Sequence, residues 1–534
     1  QMQSEAGCLD VPGRRPGALL PEELKQPFQV GSIGPQGVRT QPSRLAQVGE
    51  EVVSGSLESP HGGAIIGRME ILSVRILAEG EGPTPVQMLQ ALPRATRPVL
   101  LDSSDGRGWT FLGWNPDASC RGRVTPGTPS PGQGPAGRWP LSVGNPGAAL
   151  DEACRGEIWE ADDPTLPLGP AWAGWLSFES GHAWEPFPWN QGAGSPLPDW
   201  DFNRYRGGVL FDPQGGFKLL WAESQNSEAE ERKGWEEEFR RLLAAPPARF
   251  EQAGHLVPET SPKDFESGVE TLRKWIGEGE LFQANLSHRL VAPAPVDPRA
   301  LYSGIRESQP TSMSAYWEDE QGRSLLSWSP ELFLSVEGDR LETRPIKGTA
   351  PRSAEPLEDA AQASGLEMSP KEVAELTMIV DMARHDLGRL APPGGVQVLN
   401  AGEVEAFPTL FHRTARIQGT WNPEDGLSAL LGATFPPASI SGAPKVRALQ
   451  AIAELEGVAR GPYCGALGWW RPGTPRGAFS VLIRTAEACP RRLSLRVGAG
   501  IVWDSEPARE WEETLLKARF LGPCIEAHTK IQHS

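Results

Sequence analysis

Apolar and polar positions alternate in short runs over most of the chain and recur at helical spacing in a few longer ones, and these two patterns divide it into segments. From Met69, ILSVRILAEG and RPVLLDSSDGRGWTFLGW predict short strands closed by Gly and Asp turns, in a lobe that runs over 69–245. Its last segment, AESQNSEAEERKGWEEEFRRLL, predicts a charged helix stopped by Pro246 and Pro247, with a linker near 245–260. Over 260–525 helices alternate with hairpins: PKDFESGVETLRKWIGEGE predicts a helix, and SLLSWSPELFLSVEGDRLETRPIKGT predicts strands that turn at Glu337-Gly338-Asp339. This mixture predicts an α+β architecture with antiparallel sheets. Residues 1–68, rich in Gly, Pro, Gln and Ser without a sustained apolar period, predict an irregular extension.

Composition narrows the function classes. The 534 residues carry 51 Lys+Arg against 68 Asp+Glu, a formal charge of −17, which leaves no basic excess for a nucleic-acid backbone. A hydrophobic content of 39% with 19 Trp supports a large core despite 60 Gly and 52 Pro. The cysteines at 8, 120, 154, 464, 489 and 524 form no C-x-x-C pair, so neither a zinc site nor a disulfide framework is expected. No apolar run approaches the ~18 residues of a membrane span, and a cytoplasmic location is the default expectation. Gly132, Gly134 and Gly137 satisfy G-x-G-x-x-G, but without a strand before them or a helix after them the match reads as chance.

Three segments could carry chemistry. In SPKEVAELTMIVDMARHDLGR, Ser369 caps a predicted helix that begins at Pro370, and Glu372 and Glu375 share one face. Glu372 also suits an ordinary capping box with Ser369. In GAGIVWDSEPAREWEETLLKARF, a strand leads into a helix with Glu510 and Glu513 on one face, and Glu513 with Lys517 is also the spacing of a plain surface ion pair. Two helices that each offer a pair of carboxylates could together hold one Mg²⁺, a hard ion that takes oxygen ligands. In PPASISGAPKVRALQAIAELEG, a helix opening at Pro444 and ending at Gly457 offers free N–H groups and Lys445 to an anion.

Lys347 in RPIKGTAPR lies between a strand and a Gly-Thr turn and becomes a nucleophile if burial and nearby cations keep it neutral. Glu331 in SWSPELFL, kept protonated, could donate to a leaving hydroxyl. FSVLIRT places Arg484 near the end of an apolar strand, and VGAGI offers close backbone approach at Gly498 and Gly500. Together these describe a pocket for a dicarboxylate.

Eight blocks in order, GELFQANLSHR, SWSPELFL, RPIKGT, SPKEVAELTMIVDMARHDLGR, SISGAPK, GALGWW, VLIRTA and GAGIVWDSEPAREWEET, resemble the chorismate-utilising enzymes, most closely their aminodeoxychorismate synthase component I branch. The resemblance implies large antiparallel sheets packed face to face with helices outside. It also implies Mg²⁺ near Glu375 and Glu513, supported by Glu372 and Glu510. Lys347 would attack carbon 2 of chorismate while Glu331 protonates the departing 4-hydroxyl, and ammonia would then enter at carbon 4. Arg484, Lys517, Gly498 and Gly500 would bind carboxylates, and Gln283, Thr349, Tyr463 and His412 match pocket positions.

Within the family, Lys347 is what the aminodeoxychorismate enzymes carry, where anthranilate synthases usually have a small residue. Gln283 stands where the water-using relatives have a lysine base. No G-x-C-x-G nucleophile elbow occurs, so the resemblance implies a separate glutamine amidotransferase subunit as ammonia source. Leu376, His385, Pro437 and Ala438 depart from the usual pattern, and FHRTARIQGT is a poor match to it. The N-terminal lobe resembles segments that in some relatives bind tryptophan, at positions corresponding to Asp102 and Ser103. Two other readings remain: anthranilate synthase component I, and a non-catalytic amino-acid-binding subunit, which the loss of a carboxylate or of Lys347 would have marked.

Overall fold

Two β-sheets stacked face to face carry the architecture. The computed structural model describes residues 69–124, 144–185, 187–188, 195–224, 229–295, 297–407 and 410–524. The expected 1–68 extension and the glycines of the G-x-G-x-x-G match therefore lie outside the described residues. The first sheet runs, in spatial order, Val257–Pro258, Gln283–Ala292, Arg492–Ile501, Thr485–Cys489, Ser324–Ser329, Met313–Glu318, Val99–Asp102, Thr110–Gly113, Gly207–Phe211, Gly216–Ser224, Glu70–Glu81 and Glu157–Ala161. The second runs Ile346–Pro351, Leu410–Thr420, Arg340–Arg344, Leu332–Glu337, Arg476–Val481, Ala466–Arg471, Ala171–Leu176, Trp200–Tyr205 and Ala118–Gly122, with Val396–Ala406 pairing beside Leu410–Thr420. Ladders are antiparallel except that of Glu70–Glu81 with Glu157–Ala161. Segments 69–245 and 260–525 each give strands to both sheets.

Period-two patterning decides what each face meets. In Arg492–Ile501, Leu493, Leu495, Val497, Ala499 and Ile501 join the core formed with Phe265, Val269 and Leu272 of helix Pro262–Gly277 and Trp511 and Leu515 of helix Pro507–Ala518. Gly498 and Gly500 therefore face the other way. On the second sheet, helix Pro370–Gly388 buries Leu376, Val380, Ala383 and Leu387 against Leu334, Val336, Ala415 and Ile417. Between the sheets lie Val99, Trp317 and Leu325 from one side and Ala173, Trp175 and Trp469 from the other. Trp175 meets Trp317 edge-on, with ring centres 5.9 Å apart and planes at 69°. Aromatic pairs favour this geometry because ring edges are positive and ring faces negative.

The chain crosses between sheets repeatedly, and two of these crossings are neighbours in space. Ser324–Ser329 belongs to the first sheet and Leu332–Glu337 to the second, so Pro330-Glu331 spans the gap. In reverse, Arg476–Val481 belongs to the second and Thr485–Cys489 to the first, so Leu482–Arg484 spans it. The strand expected through FSVLIRT thus stops at Val481, because the backbone must leave its sheet, and Arg484 makes the turn at φ +48°. No helix among the described residues is long and apolar enough to cross a membrane.

Candidate active site

Lys347 sits on Ile346–Pro351, the edge strand of the second sheet, yet its amine reaches toward the first. A methyl group added at Gly500 would stand 3.8 Å from Lys347 Nζ and 2.6 Å from Gln283 Nε2. Gln283 is only 2% exposed, and its Nε2 has no hydrogen-bond partner among the described residues. A buried donor without a partner costs free energy unless a ligand accepts from it. Beside it, a methyl group at Gly498 would lie 2.7 Å from both Tyr463 Oη and the Leu286 carbonyl. The two glycines therefore let Gln283, Tyr463 and Lys347 approach this strand closely. Asn285 Nδ2 donates to Tyr463 Oη at 3.4 Å and steadies that hydroxyl.

Glu331 is buried at the crossing between sheets, and burial pushes its carboxyl up to about 7, against the lowering effects of the Ser439 hydroxyl, Lys347 and the Ile346 amide. Desolvation penalises the charged form. At neutral pH a substantial fraction of this group holds its proton, as a general acid requires. Arg484, at the second crossing, forms no ion pair among the described residues, and burial lowers its guanidinium below the usual arginine value. His412 is pulled down to about 4 by burial and by Arg484, against the raising effect of the Gly348 backbone, so its imidazole is neutral at pH 7. Thr349 Oγ1 and His412 Nδ1 lie 3.0 Å apart across paired strands.

The four glutamates come from the two expected helices. Ser369 caps Pro370–Gly388 by accepting the Glu372 amide at 3.4 Å, but the Glu372 carboxylate does not complete a capping box. It lies instead against Gly348, where a methyl group would meet Glu372 Oε2 at 2.8 Å. Burial and the charge of Glu375 raise the Glu372 carboxyl, and Glu513 on the other helix adds to the effect. Glu510 is raised by burial and by Glu513, although the Ser505 hydroxyl opposes this. Glu513 is lowered: burial acts to raise it, but Lys517 at 2.6 Å outweighs that. Glu375 stands 3.9 Å from Lys371. This donor set suits a hard divalent cation in kind. Its present spacing does not close round one, since among the described residues no three acidic, His or Cys side chains gather at ligand distance.

Two expectations meet internal partners. Lys445 donates to Asp386 at 2.8 Å and to the Thr434 carbonyl at 3.2 Å, because Asp386 projects from the neighbouring helix, so its charge is spent inside the protein rather than offered to an anion. Asp102 is buried and accepts from Thr110 (2.9 Å), Tyr302 (2.9 Å) and Arg306 (2.7 and 3.0 Å). Ser103 donates to Asp105 at 2.9 Å. Sequence reasoning missed Ser439 and Asn285, although both lie inside blocks it singled out.

The model of the chorismate binding enzyme family matches residues 98–523. A Haloarcula marismortui anthranilate synthase component 1 is 34% identical over 395 residues, covering 71% of this chain and 80% of the relative. A Klebsiella aerogenes aminodeoxychorismate synthase component 1 is 33% identical over 364 residues, covering 68% and 79%. The crystal structure of anthranilate synthase component I from Streptococcus pneumoniae superimposes with a TM-score of 0.67 at 26% identity, over 82% of this chain and 97% of that one. A family match across most of the chain, with relatives about one third identical over more than two thirds of it, places the protein among the chorismate-binding enzymes.

Proposed function

We propose that the protein is an aminodeoxychorismate synthase component I, which replaces the 4-hydroxyl of chorismate with an amino group. The observation that carries this reading is Lys347, whose amine approaches Gly500 together with the Gln283 amide and has the buried acid Glu331 as a charge neighbour. A lysine attacks only as the free amine. Its Nζ bonds to carbon 2, the ring double bonds shift, and the 4-hydroxyl leaves as water with the Glu331 proton. Ammonia then bonds to carbon 4 and the carbon–lysine bond breaks, while the surplus proton of the new amine returns to the Glu331 carboxylate. Two displacements replace one difficult step.

Arg484, Lys517 and the open backbone at Gly498 and Gly500 would receive the carboxylates, with Tyr463, His412 and Thr349 shaping the pocket. Glu375 and Glu513 would hold Mg²⁺, with Glu372 and Glu510 supporting it. The chemistry such an ion supplies is to anchor the ring carboxylate and offset its charge. A separate glutamine amidotransferase would deliver the ammonia.

The second reading is anthranilate synthase component I, favoured by the Haloarcula relative. Product identity separates the two. The protein is incubated with chorismate, Mg²⁺ and ammonium at mildly alkaline pH, and the products are weighed by mass spectrometry beside those of Lys347→Ala. Aminodeoxychorismate from the wild type, lost in the variant, is expected. Anthranilate with pyruvate would move the chain to the second reading, and no metal-dependent product even with an amidotransferase present would leave a non-catalytic binding subunit.

A further inference from the structure

The carboxylates of the two helices fit a divalent cation in kind but not in present spacing, and two of them already have lysine neighbours. Lys517 Nζ stands 2.6 Å from Glu513 and also donates to the Gly498 carbonyl at 3.0 Å. It thus bridges a carboxylate of the metal group and the strand that carries Gly498 and Gly500. Lys371, exposed and 3.9 Å from Glu375, is a looser counterpart on the other helix. Independent of the acidic cluster, Gly500 on the same strand meets the unpartnered, buried Gln283 Nε2, an indication that this place is built to receive a ligand with acceptor atoms.

A cation held by a carboxylate cannot share that oxygen fully with an ammonium, because two positive charges then repel at short range in a partly desolvated place. We infer that Lys517 is an exchangeable internal counterion: it holds Glu513 while no divalent cation is bound, and when the cation takes Glu513 it is released, still beside Gly498, to a substrate carboxylate. The inference rests on the proposed metal and substrate reading of this cleft and adds an order to it. Mg²⁺ competes with a lysine for Glu513, and the displaced lysine becomes a substrate contact. Metal binding therefore creates part of the anion site.

The sign of one substitution is then opposite to that of an ordinary supporting residue. Lys517→Ala removes a competitor, so Mg²⁺ binding in the absence of chorismate should tighten by about two- to fivefold, the range expected for losing a half-exposed ion pair. The same variant should raise the KM for chorismate at saturating Mg²⁺. Lys517→Arg keeps the charge and should leave Mg²⁺ affinity near the wild-type value. Calorimetric titration of MgCl₂ into the wild type, Lys517→Ala, Lys517→Arg and Glu513→Gln reads this directly, with no turnover involved. Unchanged or weakened Mg²⁺ binding in Lys517→Ala, when the wild type binds and Glu513→Gln does not, would overturn the inference and leave the metal reading standing. A wild type with no saturable Mg²⁺ binding, with or without chorismate, would overturn the metal reading and the inference together.

Discussion

The amide of Val481 donates to the carbonyl of Glu331 at 3.1 Å, and next to it the amide of Trp328 donates to the carbonyl of Arg484, also at 3.1 Å. Two of the places where the chain passes between sheets are thereby bonded to each other. One presents the buried acid and the other the unpaired guanidinium. Their separation is set by backbone anchored in both sheets rather than by a free loop, which is the kind of support a precise site needs.

Glu331 should leave a mark on both rate and stability. With free ammonia held constant, turnover should fall as pH rises through about 7, as the acid form is lost. Glu331→Gln should lower kcat by about 10²–10⁴-fold and remove that limb. Stability changes in the same direction with pH: a carboxyl whose folded pKa is raised from 4.5 to about 7 binds its proton more tightly folded than unfolded. Its contribution is intact below the unfolded value and is lost as pH climbs from there through about 7. Melting curves across that window should therefore show Glu331→Gln more stable than the wild type at the alkaline end.

Arg484→Ala removes a cation that pairs with no carboxylate among the described residues, so its melting temperature should change little. The loss of a charge-assisted contact to substrate should raise the KM for chorismate by roughly 10- to 100-fold. A variant that unfolds with an unchanged KM would assign Arg484 to the framework instead.

Lys445→Ala should behave in the opposite way. It strands Asp386, which is 6% exposed, without its 2.8 Å partner. Breaking a buried pair costs about 3–5 kcal/mol. Denaturant unfolding should show that loss, and the KM of protein that remains folded should stay near the wild-type value.

Gly498 and Gly500 should separate from each other. A methyl group at Gly498 meets a backbone carbonyl at 2.7 Å, which cannot swing away, so Gly498→Ala should lose about 1–3 kcal/mol of stability. At Gly500 the first obstacle is the end of the Gln283 side chain, so Gly500→Ala should fold and show its defect in KM.

Local features were legible in the sequence wherever the cause was local. The helix Pro262–Gly277, the Ser369 cap, the turn at Gly338 and the stop at Gly457 follow from capping residues, periodicity and left-handed glycines. The carboxylate faces follow from three-residue spacing. What could not be read was set by distant partners. Lys445 looked free because Asp386 lies on another helix, the partners of Asp102 were not visible because Tyr302 and Arg306 lie two hundred residues away, and FSVLIRT looked like one strand because nothing local says that it changes sheets.

The interleaving of both segments in both sheets bears on how the chain is made. Ala171–Leu176 pairs on one side with Trp200–Tyr205, close behind it, but on the other with Ala466–Arg471. At synthesis rates of roughly 5–20 residues per second, that second edge and its tryptophans wait tens of seconds for their neighbour to leave the ribosome. Val99–Asp102 waits likewise for Met313–Glu318. Nascent chains should therefore depend on holding chaperones until the last strands emerge, and the first segment expressed alone should aggregate through its open edges.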